Sequence, residues 1–461
     1  MCKQRWTRRR GPLLAWMLVL GFAPATAAAA RLPHSALPAQ FQFAVPDTSE
    51  NEFRLVNGLV GFIRAELESP VIRFTMFVRA GTGDDDRQGA AEMLAWVLGR
   101  GPCWMGPGAF QEALDRMAAD VTVRMAADLT EVTLQVPVED ATQGLRLFSG
   151  IVREPCIDRQ VLEEFQITPR PRVLSVPATQ IETPAGDIAT ALDLFYSRLF
   201  AGHPYTVVVT PAEIAELTVD DVERFHRDYF TPTNMVLAVS GPFVPPLFLR
   251  DVDQRFGDWE GRPPPRLRRA PSVDLPLRET YRYPTGETES WIVVGHELSS
   301  IRPDDLAAFE VANFILGGGH TDNWLIQEAG LRRGLANDVR SVPHRNARGP
   351  GTYTVRTYGD SEGADDLVGI IGSEIERMRT EVVTEQELAL AKQALLNIFS
   401  ARFRDGHQIA ATFAQELAAR GGLRALVRYP SLLNDVSAED VRRAAEQYLT
   451  PERLVAVVVG G

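Results

Sequence analysis

The strongest constraint on the fold is an internal duplication. The segment LTVDDVERFHRDYFTPTNMVLAVSG, Leu217–Gly241, aligns without a gap with VSAEDVRRAAEQYLTPERLVAVVVG, Val436–Gly460, at an offset of 219. Each copy is typical of a capped helix, a proline turn and a hydrophobic strand that ends in glycine. Because a chance match of this length with identical turn residues is improbable, we predict that the chain consists of two related halves.

The pattern of apolar residues predicts grouped strands and helices. Val132, Leu134 and Val136 alternate with polar residues, as in a strand with one buried face. The predicted elements of the first half are strands at Leu55–Arg64, Val71–Ala80, Val121–Met125 and Thr130–Val136, helices at Gln88–Gly99 and Ala109–Ala118, and helices beginning at Glu139, Arg159, Gly186 and Val219. Strands grouped in this way predict an α+β fold class rather than strict βα alternation.

The first thirty residues have the layout of a secretory signal peptide. A basic stretch precedes a hydrophobic run, Leu13–Phe22, and small residues follow up to Ala30. The alternative is an uncleaved membrane anchor, although this run is short for a bilayer and no later segment is long enough to span one. The alanine richness and the scarcity of lysine favour a bacterial source, so we expect export to the periplasm of a Gram-negative bacterium.

The predicted domains are a signal peptide at 1–29, a first domain at 41–250, a linker rich in proline and arginine at 251–275, and a second domain at 276–461. Removal of the leader takes five basic residues and no acid from a net charge of −12, which leaves −17. This charge argues against a nucleic-acid partner. It suits cationic ligands, although a solvated acidic surface explains it equally. Cys103 and Cys156 remain after cleavage, and the sequence leaves their pairing open.

Several motifs, in order along the chain, carry a resemblance to a known family. They are LVNGLVGFI from Leu55, VRAGTGDDD from Val78, GAAEMLAWVLGRG from Gly89, GHPY from Gly202 and ILGGGHTDNWLIQEAGLRRGLANDV from Ile315. Together with the duplication they resemble the pitrilysin–insulinase family of zinc metallopeptidases, which carries an inverted H-x-x-E-H motif. The resemblance covers nearly the whole chain after the leader. It implies two homologous domains, each a mainly antiparallel sheet covered by helices on one face.

The zinc motif of that family is lost here. The positions of the first histidine, the catalytic glutamate and the second histidine fall on Glu92, Ala95 and Trp96. Alanine has no base, and an indole has no lone pair for zinc. The family's third ligand, a glutamate, should fall within Val173–Val176, where there is no acid, and Glu182 would need a shift in register. We therefore expect no catalytic residue and no metal ligand in this chain, and zinc only in a catalytic partner.

A family feature of the second half is also missing. An arginine and a tyrosine seven positions apart, which help to bind the substrate carbonyl in the family, correspond to Gly330 and Asn337. Arg332 and Arg333 are nearby but out of register. The histidines that follow the predicted leader never lie within four residues of each other: His34, His203, His226, His296, His320, His344 and His407. We interpret His203 and His226 as structural or surface histidines.

The resemblance and the losses together imply a non-catalytic homologue of these peptidases. It would form a heterodimer with a catalytic family homologue and help to form a peptide-binding chamber, with peptides as ligands and no membrane span after the leader is removed. One alternative is an active zinc metalloendopeptidase with unrecognised ligands. Another is an assembly or interaction protein.

Overall fold

A computed structural model describes residues 43–47, 51–168, 187–201, 203, 205, 209–261, 263–265, 278–319 and 323–461. The predicted signal peptide and much of the predicted linker lie outside these residues. Residues Gln40–Gly461 form one compact unit. Within the described part of the chain, no helix is long and apolar enough to cross a membrane.

The first half combines a sheet with helices. Its strands are β1 (Glu52–Arg54), β2 (Val60–Ala65), β3 (Val71–Val78), β4 (Asp120–Met125), β5 (Thr130–Pro137) and β6 (Met235–Gly241). Its helices are α1 (Ala90–Leu98), α2 (Pro107–Met117), α3 (Ala141–Arg153), α4 (Arg159–Ile167), α5 (Asp187–Leu199), α6 (Pro211–Ala215), α7 (Val219–Tyr229) and α8 (Pro245–Phe256). Helix α8 crosses the predicted domain boundary at residue 250.

One predicted strand of the first half is shorter than expected. The sequence predicts a strand from Leu55 to Arg64, but β2 begins at Val60. Residues 56–58 form a turn instead, in which Gly58 has a φ of +92° and Val56 is fully exposed. The positive φ favours glycine, so the Asn-Gly pair at 57–58 ends the extended segment despite its apolar neighbours.

The second half repeats the first. Its strands are β7 (Glu279–Tyr283), β8 (Glu289–Leu298), β9 (Asp338–His344), β10 (Gly351–Asp360) and β11 (Val455–Gly460). Its helices are α9 (Leu306–Asn313), α10 (Ala364–Thr380), α11 (Glu385–Ala401), α12 (Gly406–Arg420), α13 (Arg424–Asp435) and α14 (Ala438–Tyr448). Two π-helical segments, Phe314–Gly318 and Ile326–Arg332, lie between α9 and β9.

The strand order of the two sheets is the same. The first sheet has the order β1-β2-β6-β3-β5-β4, and the second has the order β7-β11-β8-β10-β9. When β1 is set aside, each strand of the first sheet has a counterpart at the same position in the second. Each sheet has one parallel pair, β2 with β6 in the first and β7 with β11 in the second, and the remaining pairs are antiparallel. The predicted fold class, with mainly antiparallel sheets in two homologous domains, is confirmed.

Each half covers one face of its sheet with its own helices. In the first half, Phe74 of β3 stacks on Phe148 of α3 at 5.5 Å and on Phe248 of α8 at 6.3 Å between ring centroids. In the second half, Phe309 of α9 packs edge-on against Tyr353 of β10 at 6.2 Å. Both groups of aromatic rings belong to the buried cores of their halves.

The other face of each sheet carries a helix from the opposite half. Helices α5 and α12 begin 219 positions apart, so they are equivalent in the duplication. Helix α5 packs on β8 and β11 of the second sheet, and α12 packs on β2, β3 and β6 of the first. Phe413 of α12 lies 5.6 Å from Phe62 of β2 between ring centroids. The second face of each sheet is therefore covered as well. Central strands such as β6 are accordingly buried along their whole length.

Cys103 and Cys156 are joined in a disulfide. The two segments also meet through the backbone, because the Cys103 N–H donates to the Glu154 carbonyl at 2.9 Å and Pro102 bridges Pro155. This answers the question that the sequence left open. The bond closes a loop of 53 residues beside α3 and α4.

Candidate functional site

Helix α1 presents the three motif positions on its less buried side. Glu92, Ala95 and Trp96 are each half-buried, whereas the core-facing side chains of the helix are buried. The helix starts after Gly89, whose φ is +96° and where a Cβ would lie 2.8 Å from the Ile214 side chain. Glycine is therefore needed at this start, and the position of the helix follows from it.

The indole of Trp96 occupies the position of the second family histidine and packs against neighbouring side chains. Its ring lies 5.5 Å from the Phe165 ring of α4, and the Arg100 guanidinium lies 4.3 Å above it. Arg100 in turn forms an ion pair with Glu164 at 2.8 Å. The indole thus belongs to the α1–α4 contact.

The residues at the motif do not fit a zinc ion. Ala95 carries no donor atom, the indole of Trp96 offers only an N–H, and Glu92 alone could supply an oxygen. Across the described residues, no group of three or more His, Cys, Asp or Glu side chains is placed to hold a metal. Val173–Val176 and Glu182, where a third ligand was sought, lie outside the described residues, as do His34 and His320.

The described histidines serve the fold. His226 contacts the Val152 carbonyl through Nε2 at 2.8 Å, and burial lowers its pKa to about 4. His203 accepts a hydrogen bond from the Tyr205 N–H at 3.1 Å. His296 is buried and His344 is half-buried, and desolvation lowers the pKa of each to about 4. Burial, and then the charge of Arg73, lower the pKa of His407 to about 4.

Asp85 is the unusual acid near the motif, and the sequence did not single it out. Its carboxylate accepts the Ala91 N–H at 3.1 Å at the start of α1. Burial raises its pKa to about 7, against the lowering effect of backbone N–H groups, and the charge of Glu92 raises it further. Its second oxygen, Oδ1, is buried and has no hydrogen-bond partner within the described residues. Asp85 therefore titrates near neutral pH beside the degenerate motif.

Gly330 and Asn337, the positions that correspond to the family's arginine and tyrosine, lie in and after a π-helical segment. Gly330 falls within Ile326–Arg332, where a Cβ would lie 2.8 Å from the Ile326 side chain. Asn337 is exposed just before β9. Arg332 and Arg333, the out-of-register arginines, are both paired with Glu328 at 2.9 and 3.0 Å. These contacts hold both guanidinium groups on the surface of their own segment.

A buried ion-pair cluster joins the two halves. Arg348, in the loop between β9 and β10, pairs with Asp84 in the loop between β3 and α1 through both of its terminal nitrogens, one of them at 2.7 Å. The Arg348 N–H also donates to Asp128 at 2.9 Å, and burial raises the pKa of this carboxyl group. Tyr205 of the GHPY motif packs against Gly83 and Gly349. The GDDD and GHPY motifs are evident in the sequence, but nothing in it identifies Arg348, 264 positions after Asp84, as the partner of that aspartate.

Two strand edges border this region. Strand β4 is one of the two outer strands of the first sheet, and β9 is one of the two outer strands of the second. Helix α1, with the degenerate motif, packs against β4. An outer strand has backbone N–H and C=O groups along one side that can pair with an added strand, so an extended peptide on β4 would run beside Glu92, Ala95 and Trp96.

Comparison with known proteins gives a consistent family. Residues 216–395 match the family described as "Peptidase M16 inactive domain". The chain is 22% identical over 409 residues to an uncharacterized zinc protease of Bacillus subtilis, YmxG, covering 86% of this chain and 96% of that protein. It is 23% identical over 398 residues to cytochrome b-c1 complex subunit 1, mitochondrial, of Caenorhabditis elegans, covering 82% of this chain and 80% of that one.

Solved structures show the same fold. A peptidase M16 inactive domain from Pseudomonas fluorescens has a TM-score of 0.76 at 19% identity and covers 89% of this chain and 97% of its own. A protease from Helicobacter pylori has a TM-score of 0.74 at 19% identity, with coverage of 89% and 99%.

Proposed function

The chain belongs to the pitrilysin–insulinase (M16) family of zinc metallopeptidases as a member whose zinc motif is lost, and from this premise we propose that it is the non-catalytic subunit of a peptidase heterodimer. Its partner would be a family homologue that carries the zinc. This chain would contribute one side of a peptide-binding chamber.

The observation that carries the proposal is the contrast between the scaffold and the site. Both sheets, the reciprocal helices and the inter-half ion pair are intact. At the motif, by contrast, Ala95 and Trp96 supply neither a base nor a zinc ligand. A scaffold that is kept while its chemistry is lost suits a subunit that binds and positions rather than cleaves.

Strand β4 and the charge of the chain suggest how a peptide would bind. A peptide added to β4 would gain main-chain hydrogen bonds, which are largely independent of sequence. The acidic balance of the chain would favour basic or neutral peptides, and salt would screen that preference. We expect the negative charge to affect which peptides bind, and not the cleavage step.

Two features of the chain support our proposal that it is exported. The predicted signal peptide and the Cys103–Cys156 disulfide suit the periplasm, because disulfides persist in oxidising compartments. We propose the periplasm of a Gram-negative bacterium as the place where the heterodimer assembles.

A second candidate is an assembly or interaction protein. One relative is named as a subunit of the cytochrome b-c1 complex, which favours a role in holding a larger complex together. The third candidate, an active peptidase with unrecognised ligands, would need donors from outside the described residues, because no metal-binding group occurs among the described ones.

Co-expression with a zinc-bearing homologue encoded by a neighbouring gene tests the proposal. We expect the two chains to co-elute in size-exclusion chromatography and the homologue to cleave peptides faster in the complex than alone. Separate elution, with the homologue equally active alone, would favour the assembly role instead.

A further inference from the structure

A pocket in the second half lies apart from the degenerate motif. It is formed by α9, α11, α12, α13 and the loop after β9, and its volume is about 240 Å³. This is smaller than the roughly 300–1,000 Å³ of pockets for drug-sized ligands, so its occupant must be small. Its walls combine apolar side chains, among them Leu306, Leu395, Phe399 and Leu426, with a charged end.

The charged end has more positive than negative groups. Three arginines, Arg345, Arg402 and Arg420, and two glutamates, Glu310 and Glu416, line the pocket. Glu416 is shared by Arg402 at 3.1 Å and Arg420 at 3.3 Å. One positive charge therefore remains without a counterpart among the lining side chains.

Arg345 is the most loosely paired of the three arginines. Its nearest carboxylate oxygen, in Glu310, lies 3.9 Å from its Nη2, which is beyond hydrogen-bonding distance. Glu310 instead accepts a hydrogen bond from the Tyr429 hydroxyl through its other oxygen. Burial lowers the pKa of Arg345, and the charge of Arg420 lowers it further. A half-buried guanidinium in this setting would gain from an anion that supplies the missing acceptors.

We propose that this pocket binds a small monocarboxylate with a short apolar chain. The carboxylate accepts hydrogen bonds from Arg345, and the chain packs against Phe399 and Leu395. The planar guanidinium can hold a carboxylate through two parallel hydrogen bonds, which fixes the orientation of the ligand. The apolar wall then selects a hydrocarbon chain over a free inorganic anion.

Calorimetric titration of the full chain with hexanoate tests the proposal. We expect one site per chain, with hexanol and hexylamine at least tenfold weaker, because the alcohol lacks the charge and the amine has the wrong sign. Acetate, which keeps the charge without the chain, should also be at least tenfold weaker. Equal binding of hexanol and hexanoate would overturn the proposal, as would the absence of hexanoate binding. These comparisons need no variant, so they hold whatever a substitution does to folding.

Arg345→Gln isolates the residue. It keeps a polar side chain but removes the positive charge, and we expect it to weaken hexanoate binding at least tenfold without changing hexanol binding. Arg332→Gln, an exposed arginine paired with Glu328 on the surface, is the matched control and should bind hexanoate like the native chain. Unchanged binding in a folded Arg345→Gln variant, as judged by its melting temperature, would contradict the role of Arg345.

Discussion

At the residue scale, the degenerate motif was predictable and its surroundings were not. The positions of Glu92, Ala95 and Trp96 follow from a helix whose glycines and apolar spacing are local in sequence. The contacts of Trp96 with Phe165 and Arg100, in contrast, depend on the packing of α4 against α1. The raised pKa of Asp85 likewise depends on burial, which a single sequence does not give.

Asp85→Asn should stabilise the protein above pH 7. The folded-state pKa of about 7 lies above the usual value for aspartate, so the folded state holds the proton more tightly than the unfolded state. The free energy of unfolding contributed by Asp85 is therefore fully present below the unfolded pKa, near 4, and is lost as the pH rises through 7. Asparagine removes this loss and can still accept the Ala91 N–H.

Melting temperatures at pH 4.5 and pH 8 check this prediction. The variant should exceed the native protein at pH 8 by more than at pH 4.5. Asp86→Asn, at the exposed neighbouring position, should show no such difference between the two pH values. Equal shifts at both pH values in Asp85→Asn would contradict the assigned titration.

At the element scale, the duplication predicted two related halves but not that each half places a helix on the sheet of the other. The matched segments Leu217–Gly241 and Val436–Gly460 each form a capped helix, a 3₁₀ turn and a strand, as expected. Helices α5 and α12 occupy equivalent positions, yet each covers the sheet of the other half. Amphipathic spacing predicts that a helix has a buried face, but it does not say which sheet that face meets.

Phe413→Ala in α12 should therefore destabilise both halves. Phe413 is fully buried against Phe62 of the first sheet, and its loss leaves a cavity that costs about 3–5 kcal/mol. Chemical denaturation measures the loss, and hydrogen exchange should show lower protection of the β2 and β6 amides. Gln415→Ala, at an exposed position of the same helix, should change stability by less than about 0.5 kcal/mol. Lost protection in the second half alone would argue against the packing of α12 on the first sheet.

At the scale of the whole molecule, a buried ion pair holds the halves in register. Asp84 is 3% exposed at its side chain, and Arg348 is its partner from the other half. Arg79 adds a second link, because its guanidinium donates to the Leu417 and Ala418 carbonyls near the end of α12 at 3.3 and 3.2 Å. Such contacts across distant segments are set by the assembled fold, which is why sequence analysis did not find them.

Arg348→Gln should lower the free energy of unfolding strongly. The change leaves the Asp84 carboxylate buried without its cation, and breaking a buried pair in this way costs about 3–5 kcal/mol. Arg442→Gln, which removes exposed ion pairs with Glu439 and Glu446, should lower the free energy of unfolding far less. Urea unfolding of both variants compares the two losses, and similar small losses would show that the ion pair contributes little to joining the halves.

The zinc content of the purified chain, together with its peptidase activity, tests the central claim most directly. Because Ala95 and Trp96 supply neither base nor ligand, we predict zinc well below one equivalent per chain by elemental analysis after dialysis. We also predict no cleavage of peptides that a chelator abolishes. One tightly bound zinc per chain, with peptidase activity that is lost on chelation and restored by zinc, would contradict the account.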